Sequence, residues 1–153
     1  MTIKSALVRD NIRKAVSICA LLMSSGFSLA QESVANVVKR SSDAVVLIVT
    51  SDSEGQETAL GSGFIISADG KIVTNFHVIK GANSAVVKLS SGALFPVSGI
   101  LASDPNRDLA VLKVNGKNLP FLTLANDDKA QVGDHVVAIG SPLGLEGTVS
   151  DGL

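Results

Sequence analysis

From Ala44 onward the chain is divided into short, β-branched apolar runs, and turn residues close most of them. Ala44 to Thr50 carries Val45, Val46, Ile48 and Val49, enough for one buried strand. Leu60 to Ser67 and Lys71 to Asn75 flank Asp69-Gly70, a strong hairpin signal because glycine accepts the positive φ of a tight turn. Ser84 to Ser90 alternates Ala85, Val87 and Leu89 with Val86 and Lys88, and Ser91-Gly92 turns it into Leu94 to Ala102. Pro96 and Gly99 mark that second run as an edge strand or a bulged one. Leu109 to Val114 ends at Asn115-Gly116, Leu119 to Leu124 is short and apolar, and His135 to Gly140 precedes Ser141-Pro142. Hairpin-linked strands at this spacing predict a small antiparallel barrel or sandwich. Ahead of them, Glu32 to Arg40 spaces Val34, Val37 and Val38 as a short amphipathic helix.

The first 30 residues have a different chemistry. Lys4, Arg9, Arg13 and Lys14 form a positive stretch, Ala15 to Met23 is apolar, and Ser28-Leu29-Ala30 offers small residues to a signal peptidase. This is the export pattern, with an uncleaved anchor helix as the alternative. The single cysteine, Cys19, lies inside the apolar run behind the bulky Ile18, which argues against a lipidated first residue. The exported chain therefore has no disulfide and rests on its core or its partners. Aromatic residues make up 3% of the sequence and the net charge is −1, so neither stacking rings nor a basic patch points to nucleic acid. No P-loop, dinucleotide fingerprint or Cys/His cluster is present, and no cofactor or metal is expected.

Chemistry concentrates in two segments. One runs Gly61-Ser62-Gly63-Phe64-Ile65-Ile66-Ser67, Asp69-Gly70, then Ile72-Val73-Thr74-Asn75-Phe76-His77-Val78-Ile79. The other is Asp104-Pro105 followed by Arg107-Asp108-Leu109-Ala110-Val111-Leu112-Lys113-Val114. A third runs from Val132-Gly133-Asp134 through Val137-Ala138-Ile139-Gly140-Ser141-Pro142 to Thr148-Val149-Ser150. Taken singly, His77 reads as a surface histidine, and Asp108 as a turn carboxylate pairing with Arg107 or capping Asn106. In this order and spacing, the three segments resemble the HtrA/Deg branch of the trypsin-like serine proteases. The resemblance implies that His77 is the catalytic base and Asp108 its orienting carboxylate. A separation of 31 residues allows two strands to intervene and bring the pair together. An imidazole serves as base only when a carboxylate holds its tautomer and stabilises the imidazolium.

Three serines and a second histidine compete for roles. Ser62 is flanked by glycines but precedes a strand rather than sitting in a strand-to-helix elbow. Ser141 precedes a proline, Ser150 lacks a Gly-Asn-Ser-Gly-Gly setting, and His135 is expected to face solvent. The nucleophilic serine motif, the oxyanion amides and any PDZ domain are therefore expected beyond residue 153, leaving this chain inactive alone.

The resemblance implies an all-β, trypsin-like antiparallel barrel with the first barrel complete and the second only begun. The expected layout is a signal peptide over 1–30, a helical segment over 31–43, the first barrel over 44–130, and the start of the second over 131–153. The expected activity is serine endopeptidase cleavage of unfolded or damaged exported proteins in the periplasm or outside the cell. Partners would be unfolded protein or peptide substrates and two further copies in a homotrimer. No nucleic acid is expected, and membrane contact is expected only through the signal segment. A peptide-binding pseudoprotease and a purely structural secreted barrel are the alternatives.

Overall fold

The computed structural model describes residues 33–125, 130–140 and 148–153. The export segment, the Asp127-Asp128 loop and Ser141 lie outside the described residues. Helix α1 spans Val34–Ser41; the Ser33 hydroxyl accepts from the Asn36 amide at 3.3 Å, and Lys39 and Arg40 sit in its last turn, where the helix dipole favours cations. Val34, Val37 and Val38 form its half-buried stripe. A short 3-10 turn, Ser42–Ala44, leads into the strands.

Six strands close a barrel. They are β1 (Val45–Ser51), β2 (Glu57–Ile65), β3 (Lys71–Thr74), β4 (Ser84–Leu89), β5 (Leu94–Asp104) and β6 (Leu109–Val114). Their order around the barrel is β1-β2-β3-β6-β5-β4, every pair antiparallel. A one-turn helix, α2 (Phe76–Ile79), follows β3. Strands β7 (Val136–Gly140) and β8 (Thr148–Gly152) form a separate two-stranded ribbon.

Period-two alternation accounts for the interior. Val46 and Ile48 on β1, Ile72 on β3, Val87 and Leu89 on β4, and Ala110, Leu112 and Val114 on β6 all point inward and are buried. Each buried Val, Leu or Ile contributes roughly 1.5–3 kcal/mol relative to exposure. The only buried polar side chains among the described residues are threonines with partners. Thr50 bonds Thr58 and the Ala59 carbonyl, and Thr74 donates to the Ser62 carbonyl at 2.8 Å.

The β2–β3 hairpin turns at Asp69-Gly70 as the sequence predicts. Gly70 has φ +95°, and a Cβ there would meet the Val114 carbonyl oxygen at 2.6 Å. Of the two readings of β5, the bulge holds. The strand is enclosed by β4 and β6, and its register against β6 slips between Val97 and Gly99 and again between Ile100 and Ala102. Pairing with β4 stops at Pro96, which has no N–H to continue the ladder. Leu119 to Leu124 does not become a strand. It is tied down by single bonds from the Leu119 amide to the Ala68 carbonyl and from the Leu122 amide to the Ile65 carbonyl.

Candidate active site

The β3–β6 ladder builds the site. Ile72 pairs with Leu112 and Thr74 with Ala110, so the same register carried two residues further sets Phe76 opposite Asp108. The Phe76 N–H donates to the Asp108 carbonyl at 3.1 Å, the last rung before both chains turn away. Strands β4 and β5 occupy the interval between α2 and β6, the two intervening strands that the spacing of His77 and Asp108 allows.

Helix α2 is seated by Val78 and Ile79, both buried in the barrel core. Gly61 makes room for that seat: a Cβ there would lie 2.5 Å from a Val78 methyl carbon. Gly63 allows β3 to approach, since a Cβ there would meet the Val73 carbonyl oxygen at 2.8 Å. The glycines around Ser62 thus serve packing beneath the site. Ser62 itself lies within β2 and Ser150 within β8, and neither occupies a strand-to-helix elbow.

His77 Nδ1 lies 2.7 Å from Asp108 Oδ2, and the His77 backbone N–H donates to Asp108 Oδ1 at 2.8 Å. Asn75 Nδ2 donates to both the Asp108 carbonyl and Oδ2, each at 3.2 Å. Asp108 adopts φ +54°, a left-handed conformation that aspartate tolerates better than most residues. Its carboxyl is held below the ordinary carboxylate value. The His77 backbone N–H contributes most, the His77 ring next, and partial desolvation opposes them. The His77 side chain is 69% exposed, and Nε2 bonds to none of the described residues.

The turn-carboxylate role falls to Asp104. Its Oδ1 accepts from the Asn106 and Arg107 amides, and its Oδ2 lies 3.4 Å from the Arg107 guanidinium. His135 is exposed, as expected, and its Nε2 lies 3.3 Å from Asp151 Oδ2. Beside the barrel opens a cleft of about 450 Å³, lined by Phe64, Val73, Asn75, Leu109, Val137 and Ile139 among others. Among the described residues no His, Cys, Asp or Glu cluster is arranged to hold a metal.

A closed six-stranded antiparallel barrel with a His–Asp pair at the end of β3 and the start of β6 is the architecture of the trypsin-like class. A family model described as "Trypsin-like peptidase domain" matches residues 61–153. The "Probable periplasmic serine endoprotease DegP-like" of Chlamydia muridarum is 46% identical over 98 residues, 64% of this chain and 20% of that protein. The protein of the same name from Pseudomonas putida (strain GB-1) is 43% identical over 102 residues, 67% of this chain and 21% of that protein. Among solved structures, the serine endoprotease from Yersinia pestis has a TM-score of 0.73 at 35% identity, covering 81% of this chain and 44% of that one. "HtrA-type protease AlgW with tripeptide" has a TM-score of 0.71 at 42% identity, covering 78% of this chain and 38% of that one. The chain belongs to the trypsin-like peptidase family, in its HtrA/DegP branch. It spans about a fifth of the length of the curated relatives it matches.

Proposed function

We propose that this chain supplies the general base, His77, and its orienting carboxylate, Asp108, to an HtrA-type serine endopeptidase that cleaves unfolded or damaged exported proteins. The observation that carries the reading is the 2.7 Å contact between His77 Nδ1 and Asp108 Oδ2, reinforced by the 2.8 Å bond from the His77 amide to the same carboxylate. With Nδ1–H donated to Asp108, the lone pair of Nε2 is free to accept a proton. A serine hydroxyl placed against Nε2 loses that proton as its oxygen attacks the scissile carbonyl. Nε2–H then returns the proton to the leaving amine as the carbon–nitrogen bond breaks. Asp108 stays ionised throughout and stabilises the transient imidazolium.

None of the chain's serines sits in a Gly-x-Ser-Gly-Gly setting, so the nucleophile and oxyanion donors must come from a second barrel bearing one. The chain by itself is proposed to cleave nothing. A periplasmic location follows from the relatives, whose names carry that word. Protein or peptide substrates suit the class, and the homotrimer of the family resemblance is retained as part of the proposal.

The test is casein turnover by the protease assembled from this chain and a serine-bearing second barrel. His77→Ala is expected to abolish turnover, a loss on the order of 10⁴-fold or more, while His135→Ala leaves it unchanged. Retained turnover in the His77 variant would remove the assignment. In parallel, a serine-reactive phosphonate probe should label no residue of the 153-residue chain alone.

A further inference from the structure

Asn75 occupies the N-cap position of α2, and its side chain does not cap the helix. Asparagine at an N-cap ordinarily accepts from a first-turn amide. Here those amides are satisfied by a residue distant in sequence: Phe76 N–H by the Asp108 carbonyl and His77 N–H by the Asp108 carboxylate. Relieved of capping, the Asn75 amide spans Asp108. One Nδ2 atom reaches both the backbone carbonyl and Oδ2 of that residue. Fixing these two atoms relative to each other restrains the aspartate side chain and the left-handed backbone that carries it.

We infer that Asn75 is a positioning residue that clamps Asp108 so that its Oδ2 faces His77 Nδ1. The inference rests on the reading of His77 and Asp108 as base and orienter. Without the clamp, Asp108 has two ways to leave the ring. Its side chain can rotate, because the site is open to solvent, and its backbone can relax out of the left-handed region. Among the described residues, the other groups bonded to the carboxylate are both donors of His77, so neither fixes Asp108 independently of the ring it must orient. The depressed carboxyl of Asp108 agrees with this geometry, with the Asn75 amide as a smaller contributor behind the two His77 donors.

The chain has two histidines, so ¹⁵N-histidine labelling yields two imidazoles whose tautomers can be read directly. At a pH where both rings are neutral, His77 is expected as the Nδ1–H tautomer. His135, which meets Asp151 through Nε2, is expected as Nε2–H and serves as the internal reference. Asn75→Ser keeps a competent N-cap and removes the amide donor; Asn75→Leu keeps the size and removes both roles. Both variants are expected to lower the His77 Nδ1–H to Nε2–H ratio about fivefold, the factor carried by one net hydrogen bond. Amide protection of Ile72 and Leu112 checks that the barrel remains folded.

If Asn75 matters only to the helix terminus, serine restores the wild-type ratio, and that result overturns the inference. If wild-type His77 is itself Nε2–H, the base-and-orienter reading fails first. If wild-type His77 is Nδ1–H and stays so in folded Asn75→Leu, only the clamp fails.

Discussion

The molecule holds two histidine–aspartate pairs that differ in every respect that bears on catalysis. His77 meets Asp108 through Nδ1 at 2.7 Å, whereas His135 meets Asp151 through Nε2 at 3.3 Å. Asp108 also receives the His77 amide and the Asn75 side chain, while among the described residues Asp151 receives no second side-chain donor. The first pair stands on a helix turn buried at Val78 and Ile79; the second links β8 to the residue before β7, in a ribbon paired to no barrel strand. A short histidine–carboxylate distance alone is therefore weak evidence of a base. What matters is which ring nitrogen is engaged, and whether the carboxylate is fixed by groups other than the ring.

The comparison can be broken most forcefully at the carboxylates. Asp108→Asn keeps the size of the side chain but forces an NH₂ group toward one of three converging donors: the His77 amide, the His77 ring or the Asn75 amide. The backbone amide can only donate whereas the ring can change tautomer, so the NH₂ takes the Oδ2 position, the ring loses its Nδ1–H acceptor, and turnover by the assembled protease is expected to fall on the order of 10⁴-fold. The same exchange at Asp151 removes an exposed pair and is expected to change turnover less than about fivefold. Similar losses in both variants would mean that the two pairs are functionally alike.

How far this contrast was legible beforehand depends on the kind of information involved. The strands were legible because period-two apolar runs and pairs such as Asp69-Gly70 and Ser91-Gly92 are local signals. His77 and Asp108 were marked out by the order of three segments rather than by their own surroundings. The choice between Asp104 and Asp108 as turn carboxylate was not local, because both lie near Arg107. The β3–β6 register decides it by setting Phe76 opposite Asp108 and leaving Asp104 to the turn amides. The role of Asn75 was hidden for the same reason: its local chemistry says cap, and only the register brings Asp108 within reach. A one-turn helix such as α2 is too short to show periodicity, and Leu119 to Leu124 is apolar enough for a strand but has no ladder to join.

A smaller effect is expected beneath the site. A Cβ at Gly61 would sit 2.5 and 2.6 Å from the two Val78 methyl carbons, and valine has little rotamer freedom with which to yield. Gly61→Ala should therefore displace α2 and cost roughly 1–3 kcal/mol, read as a lower urea midpoint. Adding Val78→Ala removes the clashing methyls and should recover part of the Gly61 penalty in a double-mutant cycle. Gly133, two residues before His135, has open space where its Cβ would be, so steric overlap contributes nothing there, although its φ of +100° disfavours a side chain. A Gly61→Ala variant with an unchanged midpoint would show that His77 does not depend on that seat.

The smallest expected effect is in acid. Asp108 has its folded value depressed below 3.8, first by the His77 backbone N–H and then by the ring. A depressed carboxylate stabilises the fold fully above its unfolded value and loses that contribution as pH falls through the folded value. The window for Asp108 therefore lies below pH 3.8, and its bond to the His77 amide should survive unchanged at pH 5. The backbone amide of His77 reports this directly, because its acceptor Oδ1 belongs to the titrating group. Its ¹H and ¹⁵N shifts should inflect below 3.8, and in Asn75→Ser the inflection should move up toward 3.8 as one donor is lost. An inflection at or above 3.8 in the wild-type chain would mean that the donors around Asp108 do not hold its charge, and the network of His77 and Asn75 donors would lose its electrostatic consequence.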